Sequence, residues 1–290
     1  MDNKSLKKHL ENYYAWSLDY DFNIVKHPII LIECIKSISG IDLEKEKPNL
    51  IEFLDSFIEE KKNHKIQKYV KFENQKIELP EVVSLKNLEK HIVDLNIVEA
   101  KQSISNLIKV SDGTQILEYL LELSIKYSNY NTSVFIWSVY KMEKFLNNKY
   151  LSKSIYICLE HIINNFNPPK ISENLQVDWS VVFKNSCEPF EKLSFYYKLY
   201  NEDMVRSNKI KHQMLLLDVF SFKNKLKYNK SVKDKQCMQG RDWILDYIQG
   251  HKMSYELIIC LDSLRSCLKT NHINNDIYWS RFNERLNAFN

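Results

Sequence analysis

The chain has 290 residues, 44 % of them hydrophobic, with a formal net charge of +4. That is enough apolar material to bury the core of one large domain or two ordinary ones, which argues against intrinsic disorder. Its four glycines (Gly40, Gly113, Gly240, Gly250) fall far below the roughly 7 % of average usage. No two stand close enough to cradle a phosphate, so the nucleotide-binding glycine fingerprints are excluded, and with six prolines a turn-rich all-β fold is disfavoured.

The opening, MDNKSLKKHLENYY, lacks the apolar core of a signal peptide, so the expectation is a cytoplasmic protein whose six cysteines are reduced. A helix then follows in which Ile30, Leu31, Cys34, Ile35 and Ile38 form one stripe with Lys36 and Ser37 off it. His27-Pro28 opens this helix and Gly40 closes it, the usual asymmetry of helix ends. Its apolar run, Ile29 to Ile35, is interrupted by Glu33 and falls far short of the roughly 20 residues needed to span a bilayer, so no membrane association is expected. Residues 66–85, containing KYVKFENQKIELPEVV, are the one region suited to a short hairpin or an extended loop.

After Ser111-Asp112-Gly113-Thr114, the side chains Ile116, Leu117, Leu120, Leu121 and Ile125 line a helix face that ends at Tyr127 to Asn131. From about Thr132 to Leu146 the pattern is aromatic on one side, with Phe135, Trp137, Tyr140 and Phe145, and reads as a buried helix. Leu151 to Ile163 continues in the same manner until Pro168-Pro169, which cannot extend a helix. Further helices are expected at about 188–201, 203–228, 240–249, 253–269 and 273–288. The sum is an all-α protein of ten or eleven helices in an irregular antiparallel array, bundle or α-solenoid-like stack. Pro168-Pro169 divides it into lobes 1–167 and 168–290 that share a core.

Specific chemistry is sparse. None of the eight histidines has a Glu three positions before it, no two lie within four residues, and no Cys-x-x-Cys occurs; neither metal nor cofactor is expected. Cys260 and Cys267 share a helix face about 10 Å apart, too far for a disulfide. The lysines Lys223, Lys225, Lys227 and Lys230 form a basic run able to contact a partner. Only five of the 41 basic residues are Arg, the side chain suited to phosphate forks and guanine edges, so nucleic-acid binding is disfavoured.

Trp16, Asp19, Asp21 and His27 draw notice as an acidic aromatic turn leading into a helix N-terminus, where the dipole favours a neutral imidazole. Residues 19–40, DYDFNIVKHPIILIECIKSISG, resemble the N-terminal His-helix segment of questin oxidase-like proteins, which are helical. The likeness covers 22 of 290 residues and does not extend into the following helices, where Trp137 and Tyr140 stand instead of histidines. Two functional readings result. The first is a helical protein-interaction or regulatory module without catalysis, binding a protein partner through Trp16, Trp137 and the lysine run. The second is an enzyme for a small aromatic or apolar molecule, with His27, His161 or His212 as acid or base and Tyr140 as hydrogen-bond donor.

Overall fold

The computed structural model describes residues 3–64, 68, 83–168, 177–217, 240–270 and 275–289. Among them the chain is all-helical, with two isolated bridges, Tyr20 to Lys68 and Ser128 to Phe166. The N-terminal helices are α1 (Asn3–Ser17), α2 (Pro28–Ser39), α3 (Pro48–Asn63), α4 (Leu85–Val93) and α5 (Ile97–Val110). The middle of the chain forms α6 (Gly113–Tyr127), α7 (Tyr130–Phe145) and α8 (Leu151–Asn164). Beyond it lie α9 (Trp179–Asn185), α10 (Phe190–Tyr200), α11 (Ser207–Leu215), α12 (Asp242–Gly250), α13 (Tyr255–Thr270) and α14 (Asn275–Asn287).

These fourteen helices exceed the ten or eleven expected. The excess has a local cause: α9 has seven residues and α4 nine, too few turns for apolar periodicity to stand out. Moreover, α4 and α5 are joined through Asp94-Leu95-Asn96, which contains neither Gly nor Pro. The helix expected over 203–228 begins only at Ser207. It ends at Leu215 rather than running on; residues 218–228 lie outside the described residues, as does the 66–85 loop apart from Lys68 and residues 83–85.

Helix α2 organises the interior. Pro28 stands in its first turn, the His27 side chain accepts the Ile29 N–H at 3.2 Å, and the Gly40 N–H closes onto the Lys36 and Ile38 carbonyls. Ten of its twelve residues are buried, the exceptions being Lys36 and Ser37. It packs against α1, α3, α7 and α13, so the apolar stripe widens to cover most of the helix. At about 1.5–3 kcal/mol for each fully buried aliphatic side chain, this one helix supplies a large share of the hydrophobic stabilisation.

A buried carboxylate ties three helices beside it. Glu143 of α7 accepts the Tyr14 hydroxyl of α1 at 2.7 Å and the Ser154 hydroxyl of α8 at 2.6 Å, while its second oxygen accepts the Tyr150 N–H at 3.2 Å. One contiguous cluster of buried apolar side chains runs from Leu10 to Phe282 and crosses the Pro168 boundary. Among the described residues no helix is long and apolar enough to cross a membrane.

Candidate functional site

Side chains three, four and seven residues apart share a helix face, and four such faces meet where α2, α7, α10 and α13 converge. Glu33 and Cys34 on α2, Trp137 on α7, Lys198 on α10 and Asp262 on α13 line a slot between them with a free volume of about 30 Å³. Its walls are charged even though Glu33 and Asp262 are only 2 % and 3 % exposed. Asp262 accepts from Lys198 Nζ at 3.2 Å and from Arg265 Nε at 2.7 Å. Glu33 accepts from the Ser37 hydroxyl at 2.8 Å and lies 3.4 Å from Lys36 Nζ.

Burial alone would push the Glu33 carboxyl up, but Lys198, Lys36, Arg265 and the Ser37 hydroxyl together outweigh it and hold the group below the ordinary carboxylate range. Lys198 shows the mirror case: burial opposes its charge, and Asp262 and Glu33 raise its pKa above the usual lysine value. Burial, reinforced by Asp262 and Glu33, pushes the Cys34 thiol well up, so it stands protonated and is no nucleophile. Ligand atoms of Glu33, Cys34 and Asp262 lie within 4.8 Å of one another. Three side-chain cations already neutralise those carboxylates, so the set does not suit a divalent cation.

A second constellation surrounds His27. Because its Nδ1 accepts the Ile29 N–H, the neutral ring carries its proton on Nε2, which is buried without a hydrogen-bond partner. The His161 ring stands 5.7 Å away at 85°, and Phe135 packs against both at 4.5 and 4.4 Å. Burial and the neighbouring His161 hold the His27 pKa well below its ordinary value, and burial lowers that of His161 to about 4. Trp16 joins the assembly through Phe22, 5.3 Å from Trp16 and 5.2 Å from His27.

Of the residues expected to share a pocket, the structure therefore brings together His27, His161 and, through Phe22, Trp16. Tyr140 faces elsewhere and donates to Glu118 Oε1 at 3.1 Å. His212 is exposed on α11, and Trp137 lines the charged slot instead. Lys223, Lys225, Lys227 and Lys230 lie outside the described residues. Glu33, Lys198, Asp262 and Arg265 were absent from the sequence expectations as site residues. The signal that could have found them is a lone charge within an apolar helical run: Glu33 inside Ile29 to Ile35, and Asp262 and Arg265 inside LIICLDSLRSCL.

A third feature lies at the surface. Helix α4 ends with the Leu95 N–H on the Ile92 carbonyl and the Asn96 N–H on the His91 carbonyl, the double hydrogen bond of a left-handed cap. Leu95 occupies its left-handed position with φ of 54°, where Gly or Asn is usual and a branched side chain meets its own backbone. Among the described residues the two other such positions, Asn147 and Asn148, are of the tolerant kind. Leu95 is 51 % exposed, between Val93 at 44 % and Val98 at 68 %. Comparison with known proteins finds no matching family model, no similar curated protein and no similar solved structure.

Proposed function

We propose that the protein is a helical interaction or regulatory module that engages a protein partner through the α4–α5 corner and carries out no catalysis itself. The observation that supports this reading is Leu95. A left-handed leucine costs roughly 1–2 kcal/mol, which glycine avoids, and the side chain recovers little of it by burial because half its surface faces solvent. An apolar side chain kept in a strained, exposed position between two exposed valines suits insertion into a partner's pocket. The enzymatic reading needs a substrate at a point that both His27 and His161 reach, and Phe135 packed against both rings weighs against it.

The test places a photo-crosslinking amino acid at Val98 in the cells from which the protein comes. The expected result is one discrete crosslinked partner that disappears on Leu95→Gly, while the purified Leu95→Gly protein is as stable as the parent or more stable by about 0.5–1 kcal/mol. A diffuse crosslinking pattern, or a discrete product indifferent to Leu95→Gly, would overturn the reading.

A further inference from the structure

A cavity separate from the slot opens where the start of α1, the end of α2 and the first turn of α3 meet. Its free volume is about 250 Å³, and Asn3, Leu6, Ser39, Leu43, Pro48 and Ile51 stand in its wall. The loop that closes it is fixed by its own hydrogen bonds. Asp42 Oδ1 accepts the Glu44 and Lys45 N–H groups at 2.9 and 3.4 Å, Lys47 Nζ donates to the Asp42 and Lys45 carbonyls, and Pro48 sets the first turn of α3. The cavity is therefore a formed feature of the fold, as ligand sites generally are.

Its charges cancel. Lys45, Glu46, Lys47 and Glu52 also line it, two of each sign. Lys47 already donates to loop carbonyls, Lys45 lies 3.8 Å from Asp246 on α12, Glu46 has a partner of its own, and Glu52 is exposed to solvent. Neither sign prevails, so nothing in the wall favours an ion, and the fitting occupant is neutral.

Two side chains in the wall lack what their chemistry calls for. Ser39 is 3 % exposed and its hydroxyl has no hydrogen-bond partner, so it has lost its hydration without a replacement. Leu43 is 60 % exposed, an apolar surface standing in water. Water meets only the first need, since the space amounts to about eight molecules at their liquid volume and filling it with water leaves Leu6, Leu43 and Ile51 wet. One molecule of about eight to ten non-hydrogen atoms occupies the same space, covers the apolar wall and brings a single oxygen to the hydroxyl. We propose that the cavity binds a small neutral molecule with an apolar body and one hydroxyl or carbonyl oxygen, an alcohol, phenol or ketone, held by the Ser39 hydroxyl and by Leu6, Leu43 and Ile51. The site shares no residue with the α4–α5 corner and stands or falls independently of it.

The test uses the full-length protein and two matched probes, para-ethylphenol and para-ethyltoluene, which share a shape and differ in one hydroxyl. Methyl NMR shifts should saturate with each probe and centre on Leu6, Leu43 and Ile51. Ser39→Ala should weaken para-ethylphenol about 3- to 10-fold, the share of one hydrogen bond, and leave para-ethyltoluene unchanged. Leu43→Glu, which places a charge on the apolar wall, should weaken both. Shifts scattered over the surface, or no saturation with either probe, would overturn the proposal, as would a loss on Ser39→Ala that is equal for the two. Should Ser39→Ala fail to fold, the parent protein's shifts and Leu43→Glu, a change at an exposed position, decide.

Discussion

Acidification from pH 7 to pH 5 will remove about 2 kcal/mol of stability through His161, with a further loss through His27. Both rings are buried and neutral in the folded chain, and burial, the largest cause for each, sets their folded pKa values below the ordinary 6.5. In the window between the folded and unfolded pKa values, the unfolded chain binds more protons, so stability rises with pH there. The contribution is complete above about pH 6.5 and shrinks as the pH falls. For His161, with a folded value of about 4, the loss between pH 7 and pH 5 is about 2 kcal/mol. For His27 the unfolded chain's own titration caps the loss at about 2 kcal/mol. Against a typical total of 5–15 kcal/mol, that is a large fraction. Urea unfolding followed by circular dichroism at pH 7, 6 and 5 measures it, with His161→Leu as the comparison. The parent should lose about 2 kcal/mol more than the variant over this range; equal losses in the two proteins would refute the reasoning.

Three further outcomes can be checked by the same unfolding assay at pH 7. Asp262→Ala leaves the partly buried Lys198 and Arg265 without their acceptor and should cost about 3 kcal/mol, whereas the same change at a surface acid such as Asp246 should cost under about 0.5 kcal/mol. Glu143→Leu leaves the Tyr14 and Ser154 hydroxyls only each other, 2.9 Å apart, takes the acceptor from the Tyr150 N–H, and should cost about 2 kcal/mol, with Glu143→Gln nearer 1 kcal/mol because one oxygen can still accept. Gly113→Ala, a change that usually stabilises a helix, should instead destabilise by about 1 kcal/mol, since the new Cβ would lie 2.6 Å from Leu151 Cδ2 and 3.0 Å from its Cγ.

What the sequence disclosed depended on how local each determinant was. Pro28 and Gly40 bracket α2 as read, because caps act within a few residues of the helix they bound. The same holds for α6, α7 and α8, whose long apolar faces repeat over several turns. Helix α4 escaped reading because its left-handed cap uses Leu95, where composition gives no punctuation. His27 and His161 could each be singled out, but their meeting across Phe135 is a product of helix packing and leaves no spacing in the chain. The slot was the least legible, since Glu33 and Asp262 lie far apart in sequence and each taken alone looks like an interruption of an oily run.

The placement of α2 carries a consequence for how the molecule is made. This segment leaves the ribosome well before one of its main packing partners, α13, which begins more than two hundred residues downstream. At ordinary synthesis speeds of about 5–20 residues per second, the delay is on the order of 10–50 s. During that interval a run of isoleucines shielded on nearly every side in the finished protein lacks the cover of α13 and has only α1, α3 and α7, as they emerge, to pack against. Translation speed and chaperone supply should therefore govern the yield of this chain more strongly than that of one whose central strut is built last.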